Sequence, residues 1–256
     1  MTLRRKTLLI IAGTFYGVII LLFFISRNIL LGSYAELEEQ STHRDIERVL
    51  ASYSYELANL ETTTADWSAW DDTYTFIADR NEDYIRSNLT DSTFTELGLH
   101  LILYIDSAKD IVFGKAFDLE NEEPVPLPPG IPKYLTEHDF LVTHQDTESG
   151  YTGTIVLPEG PMIISSQPIL TSEDAGPIRG TLLMGRYLDA AKVKELAEIT
   201  LLSITLHEYN DPHIPSDFAN ARSSLSRWRH RSSFSPSAKN PLPATPPSKT
   251  SAVSRL

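Results

Sequence analysis

The chain opens on a long apolar run before any amphipathic pattern begins. Residues 7–26 (TLLIIAGTFYGVIILLFFIS) hold twenty positions without a charge. At about 1.5 Å per residue, a helix of that length spans a hydrocarbon layer of about 30 Å. The run is longer than the ~7–15 apolar residues of a cleaved signal peptide, and residues 27–31 (RNILL) offer no small-residue cleavage site. The sequence therefore predicts an uncleaved transmembrane helix over 7–26, in preference to a signal peptide.

Basic residues flank this run unevenly. Arg4, Arg5 and Lys6 precede it, and only Arg27 follows it closely. Cytoplasmic flanks of membrane helices are enriched in lysine and arginine. We therefore expect residues 1–6 to be a cytoplasmic N-terminus. The chain would cross the inner (cell) membrane once, and its middle would lie in the periplasm or outside the cell.

Beyond the apolar run, hydrophobic positions recur at helical spacing. Neither glycine nor proline occurs between Ser33 and Tyr74. This pattern predicts a stalk helix over 28–65 that continues the membrane helix, and such stalks often pair in parallel with a second copy. Steps of three and four place these residues on one stripe: Ile46, Val49, Leu50, Tyr53, Leu57, Leu60, Thr64 and Trp67.

After Leu89 the hydrophobic period becomes two, which is typical of strands. Prolines in 124–130 (PVPLPPG) exclude a helix or an inner strand there and predict a surface loop. A stalk helix followed by hairpins and a late helix predicts an α+β fold on an antiparallel sheet. The predicted strands are 99–106, 110–117, 151–158, 161–170, 177–188 and 200–208, with a helix over 189–199.

Charge is distributed very unevenly along the chain. All 34 acidic residues lie within 28–221, against eleven lysines and arginines, a net charge of −23. A segment this acidic repels nucleic acid, so a nucleic-acid partner is excluded. The chain has no cysteine, which excludes disulfides and thiolate metal sites. Residues 222–256 hold ten serines, five prolines and no acid, and we expect them to form a disordered basic tail.

One stretch, 65–76 (ADWSAWDDTYTF), places aspartates among large aromatic residues. On a continuous helix, Trp67, Trp70, Asp71 and Tyr74 would share one face. A carboxylate buried there needs a partner, because an unpaired buried charge costs several kcal/mol. Arg186 is the candidate within the chain. The alternative is a ligand amine or hydroxyl, with the three rings as walls and a cation–π face.

Enzymatic chemistry finds little support in the sequence. The aspartates of this stretch are too close together to bracket a substrate as acid and base. The seven histidines show no ligand spacing of the HxxxH or HExxH kind, and there is no G-x-S-x-G motif. We therefore expect neither an enzyme, nor a cofactor, nor a metal site.

Three separated motifs carry a family resemblance: 66–77 (DWSAWDDTYTFI), 84–106 (YIRSNLTDSTFTELGLHLILYID) and 168–189 (PILTSEDAGPIRGTLLMGRYLD). Together they closely resemble the CHASE domain of the fourth type, a cyclase- and histidine-kinase-associated sensory extracellular domain. The resemblance covers about residues 50–210. It implies a PAS-like sheet of the Cache group, and a ligand-sensing, extracytoplasmic part of a bacterial or archaeal receptor. The implied output is a histidine kinase or a cyclic-di-GMP enzyme.

The resemblance also implies a second membrane helix and an output domain, and neither pattern follows residue 208 in this sequence. The sequence thus predicts a receptor fragment that carries the sensor alone. The alternative is a membrane-anchored interaction or structural protein without a small-molecule ligand. A sensor should bind a small molecule of a kind still unknown, whereas a plain anchor should not.

Overall fold

The computed structural model describes residues 3–209, 213–216 and 218–222. A long helix leads into a short helical region, and a six-stranded sheet follows. The helices include α1 (Leu3–Ser68), α2 (Asp71–Asp79), α3 (Glu82–Asn88), α4 (Asp91–Leu97), α5 (Gly130–Glu137) and α6 (Ala190–Thr200). The strands are β1 (Leu101–Asp106), β2 (Ile111–Asp118), β3 (Glu123–Val125), β4 (Tyr151–Leu157), β5 (Gly160–Pro168) and β6 (Gly180–Tyr187).

The chain divides into two compact units. Residues 49–206 form one unit, and the remaining described residues belong to the other. The first unit contains the whole sheet, helices α2–α6 and the part of α1 that ends at Ser68. The residues predicted to form a site all lie in this first unit.

Helix α1 is unbroken from Leu3 to Ser68, in keeping with the helical spacing of the sequence. Within the described part of the chain, no helix meets the combined length and apolarity needed to cross a bilayer. The membrane span over 7–26 therefore stays a prediction. The predicted tail lies outside the described residues, except for Arg222.

The sheet has the order β3-β2-β1-β6-β5-β4, and every neighbouring pair is antiparallel. Strand β1 lies between β2 and β6, with Leu103 opposite both Gly114 and Leu183. The predicted combination of helices with an antiparallel sheet is confirmed. The predicted hairpin between 99–106 and 110–117 is present as β1 and β2.

Period-two alternation gives the sheet two buried faces. Both faces are covered by helices, so the central strands read as nearly continuous apolar runs. One face packs beneath helices α1 to α4, through Ile102, Tyr104, Leu182 and Met184 against Leu60, Phe76 and Phe94. The other packs against α5 and the turn at 139–141, through Leu101, Leu103, Ile105 and Leu183 against Ile131, Leu135 and Leu141.

Two predictions at the ends of the sheet need correction. The strand predicted over 200–208 is wrong: α6 continues to Thr200, which is buried, and residues 201–208 pair with no strand in the described part of the chain. Leu201 ends the helix with a left-handed φ of 58°. The proline-rich loop is in part an edge strand, because Pro124 in β3 needs no donor on its open side.

Candidate functional site

Helix α1 ends just before the aromatic and acidic stretch that the sequence singled out. Trp70 is extended (φ −127°, ψ 132°) and precedes α2, which starts at Asp71. Trp67 therefore lies on one helix, and Asp71 and Tyr74 lie on another. The prediction that these residues share a face of one continuous helix is wrong, because the break at residues 69–70 redirects the chain.

The segment between β5 and β6 holds this break in place. The Asp71 backbone N–H donates to Ser172 Oγ at 3.0 Å, and the Ser172 backbone N–H donates to Asp71 Oδ1 at 3.0 Å. The Leu170 N–H also donates to the Ser68 carbonyl at 3.0 Å. The first turn of a helix has unpaired N–H groups, so this exchange stabilises the start of α2.

Tyr74, one turn further along α2, is held by the same segment. Its hydroxyl donates to the Pro177 carbonyl at 3.1 Å. The Arg179 guanidinium lies 3.9 Å from the ring centroid and donates to the Tyr74 carbonyl at 2.9 Å. Gly176 has a φ of +93°, and a Cβ there would lie 3.1 Å from the Tyr74 hydroxyl. We call Trp67, Trp70, Asp71, Tyr74, Ser172 and Arg179 the corner.

Asp71 is exposed, so the prediction of a buried carboxylate is wrong. An exposed carboxylate needs no cationic partner, and the Ser172 amide meets one of its oxygens. The two tryptophans are half-buried and contact each other edge to face, with ring centroids 6.2 Å apart. Trp70 also contacts Tyr84, at 6.3 Å between centroids, which connects the corner to the core.

Behind the corner lies a chain of buried hydroxyls that sequence reasoning missed. The Tyr84 hydroxyl is 2.6 Å from Thr73 Oγ1 and 2.9 Å from the Tyr104 hydroxyl. Phe76 stacks on Tyr84, with centroids 4.4 Å apart. Burial raises the pKa of Tyr84 and raises that of Tyr104 well above the ordinary tyrosine value. Both phenols therefore stay neutral and act as hydrogen-bonding parts of the core.

Arg186 does not pair with Asp71. Its guanidinium donates to Glu56 Oε2 at 3.4 Å and to Asn59 Oδ1 at 2.8 Å on α1, and to the Leu97 carbonyl at 2.8 Å. The predicted Asp71–Arg186 pair is wrong because the end of β6 lies under the turns of α1 that precede the break. Gly185 makes room for Met162, whose Sδ a Cβ would meet at 2.6 Å, and not for Asp71.

Two charges at the centre of this second group are deeply buried. Glu56 is 7% exposed and Arg186 is 8% exposed. Lys192 on α6 lies 3.4 Å from Glu56 Oε2 and 2.7 Å from Glu195, so two cations meet the Glu56 carboxylate. Burial lowers the pKa of the Arg186 guanidinium, and the Glu56 carboxylate opposes that shift. We call Glu56, Asn59, Arg186 and Lys192 the buried ionic cluster.

Sequence reasoning missed Glu56, although a signal was present. Glu56 falls within the apolar stripe of α1, between Tyr53 and Leu60, where a charge must have a buried partner. Among the described residues, no group of three or more histidine, aspartate or glutamate side chains is placed to hold a metal ion.

The family follows from a direct sequence match. The sequence profile of the CHASE4 domain matches residues 53–207 of this chain. The chain belongs to the CHASE4 family. The resemblance read from the three motifs is confirmed, and the matched region is a sensory domain.

A curated relative extends the match beyond the CHASE4 domain. The methanogenesis regulatory histidine kinase FilI of Methanothrix harundinacea (strain 6Ac) is 31% identical over 225 residues. That alignment covers 88% of this chain and 25% of FilI, so the chain spans about a quarter of its relative's length.

One solved structure shares the fold of this chain at low sequence identity, and a second gives a weaker match. A domain of a sensory box/GGDEF family protein from Vibrio parahaemolyticus has a TM-score of 0.50 and 12% identity, covering 75% of this chain and 82% of that one. The extracellular domain of vpHK1S-Z8, described as a histidine kinase, has a TM-score of 0.46 and 11% identity, covering 64% of this chain and 60% of that one.

Proposed function

We propose that this chain is the extracytoplasmic, ligand-sensing part of a membrane receptor that signals through a histidine kinase or a cyclic-di-GMP enzyme. The observation that carries the proposal is the CHASE4 match over 53–207 together with the alignment to a regulatory histidine kinase. The proposed anchor is the apolar segment 7–26, with residues 1–6 in the cytoplasm.

Topology can be tested directly. Alkaline phosphatase fused after residue 206 should be active in a bacterial host, because the enzyme folds only outside the cytoplasm. A matched fusion in which Arg4, Arg5 and Lys6 are replaced by serine should lose orientation and much of its activity. If the fusion that keeps Arg4, Arg5 and Lys6 is expressed normally but is inactive, the proposed location is wrong.

The proposed ligand site is the corner. Trp67, Trp70 and Tyr74 present partly exposed rings, and Asp71 presents an exposed carboxylate beside them. The Arg179 guanidinium covers one face of the Tyr74 ring, 3.9 Å from its centroid, so the rings proposed to meet a ligand cation are those of Trp67 and Trp70. A small molecule with a protonated amine would find a cation–π attraction there, together with the Asp71 carboxylate. Arg186 is not part of the proposed site, because it is buried and hydrogen-bonded to α1.

A thermal-shift screen of amines, amino acids and small polar metabolites tests this site. A binding compound should raise the midpoint of the wild-type chain, and Asp71→Asn should abolish that rise. Asp72→Asn is the matched control, since Asp72 is the exposed neighbour on the same helix, and it should keep the response. If no compound shifts the midpoint, the chain is an anchored interaction protein without a small-molecule ligand, and the sensing proposal is wrong.

We also propose a parallel homodimer through α1. The face of α1 turned away from the sheet carries Ala51, Ala58 and Tyr55, which is 69% exposed. Because the chain has no cysteine, a single engineered one reports on pairing. Ala58→Cys should give a disulfide-linked dimer under mild oxidation, whereas Leu57→Cys, on the face packed against the core, should not. Equal cross-linking at both positions would contradict pairing through this face.

A further inference from the structure

His100 lies where the last strand of the sheet passes into the last helix of the domain. Its backbone is fixed on both sides: the N–H donates to the Gly185 carbonyl at 2.9 Å, and the carbonyl accepts from the Phe117 N–H at 3.0 Å. The imidazole is held as well, because its side chain is only 13% exposed and packs edge to face on the Tyr187 ring at 5.3 Å.

The two ring nitrogens of His100 face the two sides of the β6–α6 connection. Nδ1 accepts a hydrogen bond from the backbone N–H of Tyr187, the last residue of β6, at 3.2 Å. Nε2 faces Asp189 Oδ2 at 3.6 Å. Asp189 caps α6, since its Oδ1 accepts from the Lys192 N–H at 2.8 Å. One side chain therefore contacts the end of a strand and the start of a helix.

These contacts determine which ring nitrogen of His100 carries the proton in the neutral form. A nitrogen that accepts from an N–H group carries a lone pair, so the neutral ring has its proton on Nε2, toward Asp189. A second proton taken from solvent would bind at Nδ1. It would face the Tyr187 N–H as donor against donor, and that amide would lose its acceptor.

We propose that His100 links β6 to α6 in a way that depends on its protonation, and we call this link the joint. In its neutral form it ties the Tyr187 amide to the ring and leaves Asp189 to cap the helix. In its protonated form it releases the Tyr187 amide and binds the Asp189 carboxylate as an ion pair, which alters the connection at 188–189. This role is independent of any ligand at the corner.

Burial and the charges around the ring together set the pH at which the joint operates. The carboxylates of Asp189 and Asp118 favour the protonated form, and the cations Lys192 and Arg186 oppose it. Burial is the largest influence and lowers the pKa of His100. Folding therefore favours the neutral ring. The stability that the neutral ring contributes to the fold is fully present above a pH of about 6.5, and it is lost as pH falls through the lowered pKa of the folded state.

Amide hydrogen exchange of the full chain in detergent micelles tests the joint. Between pH 7.5 and pH 5.0, protection of the segment 186–194 should fall about tenfold after correction for intrinsic exchange. His100→Asn keeps an acceptor near the Nδ1 position and cannot take up a proton, so its protection should stay constant. His144→Asn, at a different partly buried histidine, should leave the wild-type fall intact.

Constant protection in the wild type, or a fall that persists in His100→Asn, would overturn the proposal. If His100→Asn does not fold, the wild type alone decides the question. The imidazole resonance of His100 in histidine-labelled protein and the exchange of segment 186–194 should then titrate with the same midpoint. Midpoints that differ by a full pH unit would overturn the joint.

Discussion

The corner stabilises the start of α2 and the buried ionic cluster stabilises a stretch of α1, by opposite means. At the corner the exposed Asp71 exchanges hydrogen bonds with Ser172, donating from its backbone N–H and accepting at its carboxylate, and Arg179 covers the Tyr74 ring. In the cluster, Glu56 and Arg186 are both more than nine-tenths buried, and Arg186 and Lys192 both meet the Glu56 carboxylate while Asn59 accepts from Arg186. The exposed polar groups of the corner can therefore exchange their hydrogen-bonding partners, whereas the buried pair in the cluster cannot.

The largest expected effect is at the cluster. Arg186→Ala removes one of the two cations that meet Glu56 and leaves a buried carboxylate with Lys192 alone, so it should cost about 3–5 kcal/mol of unfolding free energy. Urea unfolding of the full chain, followed by tryptophan fluorescence with Trp228 replaced by phenylalanine throughout, measures this loss. The double variant Arg186→Met with Glu56→Gln should lose less than the sum of its parts. A loss under about 1 kcal/mol for Arg186→Ala would mean that the cluster is solvated.

An intermediate effect is expected at the start of α2. Asp71→Ala removes the acceptor of the Ser172 N–H at an exposed position and should cost about 0.5–1.5 kcal/mol. Asp72→Ala is the control and should stay within about 0.5 kcal/mol of the wild type. A double-mutant cycle should find coupling between Asp71 and Ser172, and almost none between Asp71 and Arg186. Strong coupling of Asp71 to Arg186 would reverse this assignment.

The smallest effect is expected at Arg179. Its contact with Tyr74 is partly solvated, so Arg179→Ala should cost about 0.5–1 kcal/mol. Arg179→Lys keeps a cation near the ring and should recover part of that loss. The same urea titration measures both variants, and an Arg179→Ala loss equal to that of Arg186→Ala would erase the distinction between the two regions.

Much of the fold follows from hydrophobic period. The alternation in 99–106 and 161–170 predicted β1 and β5, and the stripe through Leu57 and Leu60 predicted the buried face of α1. The break after Ser68 did not follow, because no glycine or proline marks it. It depends on Ser172, a hydrogen-bonding partner 101 residues further along the chain.

The candidate site was predicted only in part. The motif at 65–76 marks the corner, and its role in ligand binding stays a proposal. Arg186 was predicted to pair with Asp71, and that prediction is wrong. The partner is Glu56 because strand β6 ends beneath α1 well before the break, a placement that local spacing cannot specify. The available signal for Glu56 was a charge within an apolar stripe. Its partner could be identified only once the position of the sheet beneath α1 was known.

Ligand affinity in two matched variants tests the central claim, that the corner binds the ligand while the cluster only supports the fold. The strongest binder from the thermal-shift screen is titrated calorimetrically into the wild type, Asp71→Asn and Arg186→Lys. The account predicts at least a tenfold loss of affinity for Asp71→Asn and little change for folded Arg186→Lys. Unchanged binding by Asp71→Asn, with loss in a folded Arg186→Lys chain, would contradict it.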